Sequence, residues 1–285
     1  MQGWQSLKAT DGTNIPFKEF GVTEPSETVL ILWPALGVRA RFYESLCEEL
    51  ACLGVTVVLA EQRGHGCSPY RPGRGEKFNF HDYVTTDMVC LLDHIRGKYP
   101  SASLLMGGHS LGGHLSSVFS ALFPEKIDGI VHIACSFPFK GAYPGRTGRQ
   151  IGLLCNLIPL FGLFWGYYPG KLVGFGGNEY LGVMQDWRMW ARSGCFDTAD
   201  FKDINQKMSN FTGQVVSIRM DQDDYATDQG LELAVSGFTA AKVDRVQLTE
   251  EHQGKYLGHF NWAKKPKGVA QSISDWISKT GEEQG

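Results

Sequence analysis

The chain has 285 residues, 42% hydrophobic and 20% charged, a balance that fits one large globular domain or a core domain carrying an insertion. A formal net charge of −3 without any dense Lys/Arg cluster argues against a nucleic-acid partner. The seven cysteines are odd in number and lack CxxC spacing, so they read as reduced core thiols rather than metal ligands or a disulfide framework. Met1-Gln2-Gly3-Trp4 lacks the basic-then-apolar pattern of a signal peptide, and the expected location is cytoplasmic.

In chain order, Trp4 to Ala9 and Asn14 to Phe20 are β-like runs around Asp11-Gly12, a strong hairpin signal. Thr28 to Trp33 reads as a buried strand ended by Pro34-Ala35-Leu36-Gly37. Arg41 to Leu53 has helical spacing and stops at Gly54. Val55 to Ala60 is another apolar strand, and Asn79 to Ile95 places Tyr83, Val84, Met88, Leu91, Leu92 and Ile95 on one helical face. The run Ser103 to Met106 then meets Gly107-Gly108-His109-Ser110-Leu111-Gly112-Gly113, followed by a helix to Phe123 and a strand from Ile127 to Ala134. Apolar strands alternating with amphipathic helices predict a mostly parallel sheet covered on both faces.

The alternation breaks after Cys135. Residues 136–210 are rich in Gly, Pro and aromatics, and Gln150 to Gly170 carries no formal charge. That run is long enough to span a bilayer, but Asn156, Pro159 and its glycines interrupt it, and it lies between two strands of one sheet. It reads instead as part of a mainly helical cap, with peripheral membrane contact as a further use. Asp186-Trp187-Arg188-Met189-Trp190 offers aromatics either to line a pocket or to fasten the cap to the core. The alternation resumes with a strand from Gln214 to Met220, the acidic turn Asp221-Gln222-Asp223-Asp224, a helix to Phe238 and a strand from Val243 to Thr249. Gly258-His259-Phe260 follows in a loop before a final helix, Val269 to Lys279.

Gly108-x-Ser110-x-Gly112 between a strand and a helix predicts a sharp turn with a serine at its apex. Such a serine is backbone-strained, so its neighbours two residues away must be small. A serine hydroxyl becomes a useful nucleophile only when a base takes its proton and a third group orients that base. After such an elbow the acid belongs in the turn that follows a later strand, and the histidine in the loop after the last strand. His259 has that position; His252 is too close to the strand end, and His109 and His114 flank the elbow but are expected to point along a different face. Counting from Ile218 favours Asp223 as the acid, with Asp224 and then Asp221 as alternatives. The three carboxylates lack the spacing of a calcium loop, and neither metal nor cofactor is called for. For the oxyanion, one backbone N–H should come from Leu111 and another from the loop after Trp33; Pro34 has none, which makes Ala35 the candidate.

Together these residues resemble the α/β-hydrolase superfamily over nearly the whole chain. Gly108-His109-Ser110-Leu111-Gly112 looks like its nucleophile elbow and Gly258-His259-Phe260 like its histidine loop. Glu61-Gln62-Arg63-Gly64-His65-Gly66-Cys67-Ser68 is similar to the Asp-x-Arg-Gly-x-Gly-x-Ser stretch of the branch that includes monoglyceride lipases and prolyl aminopeptidases, with Glu for Asp. Pro34 to Tyr43 and Asp186-Trp187-x-x-Trp190 look closer still to a group of predicted hydrolases, and Trp33-Pro34 stands where the superfamily usually has His-Gly. The resemblance implies an eight-stranded α/β-hydrolase core over 1–135 and 211–285, a cap over 136–210, and Ser110, Asp223 and His259 as the triad. It implies no substrate. The apolar cap favours a medium acyl or aromatic carboxylic ester cleaved through an acyl-enzyme. The alternatives are acyl transfer with the same triad, an aminopeptidase or amidase, or a non-catalytic ligand-binding protein. A peptide substrate would need an acidic group for its amine; Glu179 and Asp186 are available, though each reads first as a solvated surface charge.

Overall fold

The computed structural model describes residues 3–21 and 27–284. The reading of Met1-Gln2 and the far end of the expected core at 285 lie outside the described residues. The order of elements follows the sequence pattern closely. A hairpin, β1 (Gln5–Lys8) and β2 (Asn14–Phe20), turns at Gly12 with φ 84°. Then come β3 (Thr28–Trp33), a 3-10 turn over Ala40–Tyr43 running into α1 (Glu44–Cys52), and β4 (Thr56–Ala60). The helix expected over Asn79–Ile95 starts as a π-helical stretch, Asp82–Met88, and continues as α2 (Val89–Lys98). After it, β5 (Ser103–His109) leads through Ser110 into α3 (Leu111–Leu122) and β6 (Gly129–Ile133).

The chain leaves the sheet here. It forms α4 (Gly145–Phe164), then β7 (Tyr168–Pro169), α5 (Gly170–Val173) and β8 (Asn178–Glu179), and then α6 (Leu181–Ser193) and α7 (Ile204–Lys207). It rejoins the sheet with β9 (Gln214–Met220), followed by α8 (Asp228–Val235), β10 (Lys242–Leu248), α9 (Glu250–Gln253) and α10 (Lys267–Gln284). Most of the uncharged run Gln150–Gly170 therefore lies in α4, and among the described residues no helix is long and apolar enough to cross a membrane.

The main sheet has eight strands in the order β1-β2-β4-β3-β5-β6-β9-β10. Only β1–β2 and β2–β4 pair antiparallel; the other neighbours are parallel. Successive side chains of a strand point to opposite faces, and β3 shows why both faces must be covered. Val29, Ile31 and Trp33 join the core that α2 and α3 complete, whereas Leu30 and Leu32 join the one completed by α1 and α10. The burial of both sets accounts for the uninterrupted apolar run in the sequence.

The insertion is fastened to the core by buried polar contacts as well as aromatics. His65 in the loop after β4 meets Glu179 of β8 at 2.7 Å, and the Phe80 N–H donates to Asp186 of α6 at 3.0 Å. Trp190 packs against Phe80 at 4.5 Å and against Phe137 and Phe196. Glu179 and Asp186 are 1% and 4% exposed, so their expectation as solvated surface charges is overturned. Each is drawn inward by a partner far away in sequence.

Candidate active site

The strand-to-helix turn places Ser110 at φ 50°, ψ −112°, a conformation that L side chains rarely adopt. Its N–H donates to the Ile133 carbonyl at the end of β6, which holds the apex against the sheet. The two flanking glycines are required by a third element. A Cβ on Gly108 would lie 2.0 Å from the Trp33 carbonyl oxygen, and one on Gly112 would lie 2.1 Å from the same atom. Thus the end of β3 packs directly on the elbow, and the loop that follows it is brought beside Ser110.

His259, in the loop between α9 and α10, meets Asp223 Oδ2 through its Nδ1 at 2.8 Å. The other oxygen of Asp223 accepts the Tyr225 N–H at 2.8 Å, fixing the carboxylate plane. Asp223 is buried while Asp221 and Asp224 are exposed, and Asp221 accepts from Gln247. His252 is occupied in a capping box with Thr249. Ser110, Leu111 and His259 all line a cavity of about 380 Å³, together with residues of α4 and α5 of the insertion. None of its lining residues is Asp, Glu, Lys or Arg.

The loop after β3 requires a correction. Ala35 was the expected oxyanion donor, but its N–H is given to the Tyr43 hydroxyl at 3.1 Å, and Leu36 is the residue of this loop that lines the cavity. Among the described residues neither the Leu36 nor the Leu111 amide donates to a protein acceptor. A proline's missing N–H points to the next residue along, but the sequence gives no sign that a tyrosine eight residues away captures it.

The histidines beside the elbow also depart from expectation. His114 lines the cavity, and the ring of His109 lies 4.6 Å from that of His259. Burial, and then the neighbouring His132, push His114 down to about 3, so it remains neutral. The Glu that replaces the usual Asp of the Arg-Gly-x-Gly stretch is structural: Glu61 accepts the Ala40 N–H at 3.0 Å and the Cys67 N–H at 3.2 Å, joining the loops after β3 and β4. Arg63 of that stretch is buried against Asp87 and reaches Asp11 of the hairpin.

A mostly parallel sheet of eight strands, with a strained serine in the turn between β5 and α3, has the α/β-hydrolase fold. The family model described as serine aminopeptidase, S33, matches residues 24–159, a stretch that holds Ser110 but ends before Asp223 and His259. A "probable serine hydrolase" of Drosophila melanogaster is 26% identical over 134 residues, 43% of this chain and 39% of that protein. A monoglyceride lipase homolog of Monkeypox virus is 28% identical over 112 residues, 39% of this chain and 38% of that protein. The chain thus matches about two-fifths of the length of these curated relatives. A thermostable carboxyl esterase from Bacillus coagulans superposes with a TM-score of 0.67 at 14% identity, covering 98% of each chain.

Proposed function

We propose that this chain is a serine hydrolase that cleaves a carboxylic ester with an apolar, medium-length acyl or aromatic group. In this reading Ser110 attacks the carbonyl carbon, His259 takes the serine proton and returns it to the leaving alcohol, and Asp223 orients the imidazole. The Leu36 and Leu111 amides, which among the described residues donate to no protein acceptor, would stabilise the tetrahedral oxyanion. Water then releases the acid from the acyl-enzyme, and residues 136–210 act as the cap that shapes the acyl site. The presence of esterases among the structural neighbours, such as the Bacillus coagulans protein, agrees with this reading.

The observation that carries it is a cavity without Asp, Glu, Lys or Arg that both Ser110 and His259 line. Its size sits near the lower end of small-molecule sites, roughly 300–1,000 Å³. Burying an ester's apolar chain there needs no ionic partner. A peptide's ammonium group would need a carboxylate, and Glu179 and Asp186 are turned to His65 and Phe80 instead. That favours an ester over the aminopeptidase alternative.

The test is hydrolysis of p-nitrophenyl esters from acetate to palmitate by wild type and Ser110→Ala. We expect a maximum at medium chain length and loss of turnover in the variant. Adding an alcohol acceptor and analysing products separates hydrolysis from acyl transfer. Wild type that turns over no ester and resists a fluorophosphonate probe would defeat the reading and favour ligand binding without catalysis. Peripheral contact with a lipid surface is a second, compatible reading. Leu163, Phe164 and Leu172 are at least 66% exposed, and Leu153 and Val173 are both exposed and part of the cavity lining.

A further inference from the structure

The loop after β3 is held in a way that a simple turn does not require. The Pro34–Ala35 peptide is gripped at both poles: the Pro34 carbonyl accepts from Gln62 Nε2 at 3.0 Å, and the Ala35 N–H donates to Tyr43 Oη at 3.1 Å. Gln62 and Tyr43 are 2% and 1% exposed. Because a peptide unit is planar, fixing both its oxygen and its nitrogen fixes the plane. The next amide along the chain is Leu36 N–H, whose direction therefore depends on the grip. The Ala35 carbonyl is held as well, accepting the Val38 N–H at 3.1 Å in a turn that closes at Gly37, φ 73°.

Tyr43 carries the restraint onward. Its hydroxyl accepts from Ala35 and shares a hydrogen bond with His109 Nδ1 at 2.8 Å. Burial, and then the proximity of His259, hold His109 well below the usual histidine range, so it stays neutral. The ring lies 4.6 Å from His259 and edge-on to Trp262 at 5.4 Å, forming a floor under the loop that carries the base. His109 is also the residue that precedes Ser110, so the same ring is fixed to the elbow.

We infer that Tyr43 and His109 are positioning residues which hold the Leu36 amide and the His259 ring in register across the elbow, with Gln62 securing the opposite pole of the gripped peptide. None of Gln62, Tyr43 and His109 lines the cavity, so none acts on substrate directly. The inference rests on the serine-hydrolase reading given above, and it adds what keeps the oxyanion donor and the base aligned.

Tyr43→Phe tests it, because the ring is kept and only the bridging hydroxyl is lost. Removal of a whole oxyanion donor costs about 100–1,000-fold in kcat; a misaimed donor should cost less, so we expect a fall of about 10–50-fold with KM within about twofold. The inhibition constant of a trifluoromethyl ketone, which forms a tetrahedral oxyanion on the serine, should rise by the same factor as kcat/KM falls. Gln62→Leu releases the other pole and should show the same split, which keeps the test decisive if Tyr43→Phe fails to fold. A folded Tyr43→Phe with unchanged kcat and unchanged inhibition constant would overturn the inference. So would a fall in activity that leaves the affinity for the ketone intact, since that pattern indicates general loosening. An inert, unlabelled wild type removes the serine-hydrolase reading itself and the inference with it, and is recognised without any variant.

Discussion

At the residue scale, the acidic turn after β9 shows how a single position is selected among similar neighbours. Asp223, Asp224 and Asp221 are equivalent in composition, but only Asp223 is buried, with one oxygen on the Tyr225 N–H and the other on His259. Asp223→Asn keeps the shape but supplies an amide where the imidazole N–H needs an acceptor. We expect kcat to fall about 10³–10⁴-fold. Asp224→Asn, on an exposed side chain, should leave it within about twofold. Steady-state kinetics on the preferred ester separates the two, and the reverse ranking would move the acid to Asp224. The pairing of Asp223 with His259 was legible in outline because both lie in loops that follow strands of the sheet. The capture of the Ala35 amide was not, because Tyr43 reaches it only after a 3-10 turn folds back over the loop.

At the element scale, the elbow joins β5 and α3, but its glycines are dictated by β3. Gly108→Ala or Gly112→Ala would press a methyl against the Trp33 carbonyl, a backbone atom that cannot rotate away. We expect a loss of about 3 kcal/mol or more, read as a fall in melting temperature of about 6–12 °C. Gly97 gives the contrast: it lies within α2 with nothing within 4 Å of an added Cβ. Gly97→Ala should stabilise by about 0.5–1 kcal/mol through helix propensity.

The contact between α6 and Phe80, just before the π-helical stretch, should depend on pH. Burial, opposed by the Phe80 N–H and assisted by Asp200 and Asp82, raises Asp186 to about 6. A carboxyl whose folded pKa is raised binds its proton more tightly when folded. Its contribution is therefore most favourable below 3.8 and is lost as pH climbs toward about 6. Asp186→Asn retains an acceptor for Phe80 and removes the buried charge. The variant should melt higher than wild type at pH 7 and lose that advantage at pH 4. An equal difference at both pH values would show that the charge of Asp186 has no part in it.

At the scale of the whole molecule, the proposed function draws Ser110, Asp223 and His259 from the ends and loops of the sheet, and the insertion adds apolar residues of α4 and α5 to the cavity they share with Ser110 and His259. The two contributions are separable in principle. The insertion exposes Leu163, Phe164 and Leu172 at 68%, 66% and 75%, and Leu153 and Val173, also exposed, line the cavity. Phe164→Ser combined with Leu172→Ser should abolish cosedimentation with phosphatidylcholine vesicles while leaving turnover of a dissolved short ester within about twofold. Failure of the wild type to cosediment would end the membrane reading and leave the esterase reading intact.

Local rules of the sequence determined the strand and helix pattern, the strained serine with its small neighbours, and the loops that carry Asp223 and His259. These features rest on periodicity, on backbone geometry and on chain order, all of which are written in short windows. Tertiary structure alone decided what each polar group faces. Glu179 and Asp186 looked like surface charges and lie buried against the core; His109 looked peripheral and packs under His259; Ala35 looked like a free donor and is held by Tyr43. The reason is common to all of them. A buried polar atom must find a partner, and in this fold that partner comes from an element distant in sequence, so no local window contains it.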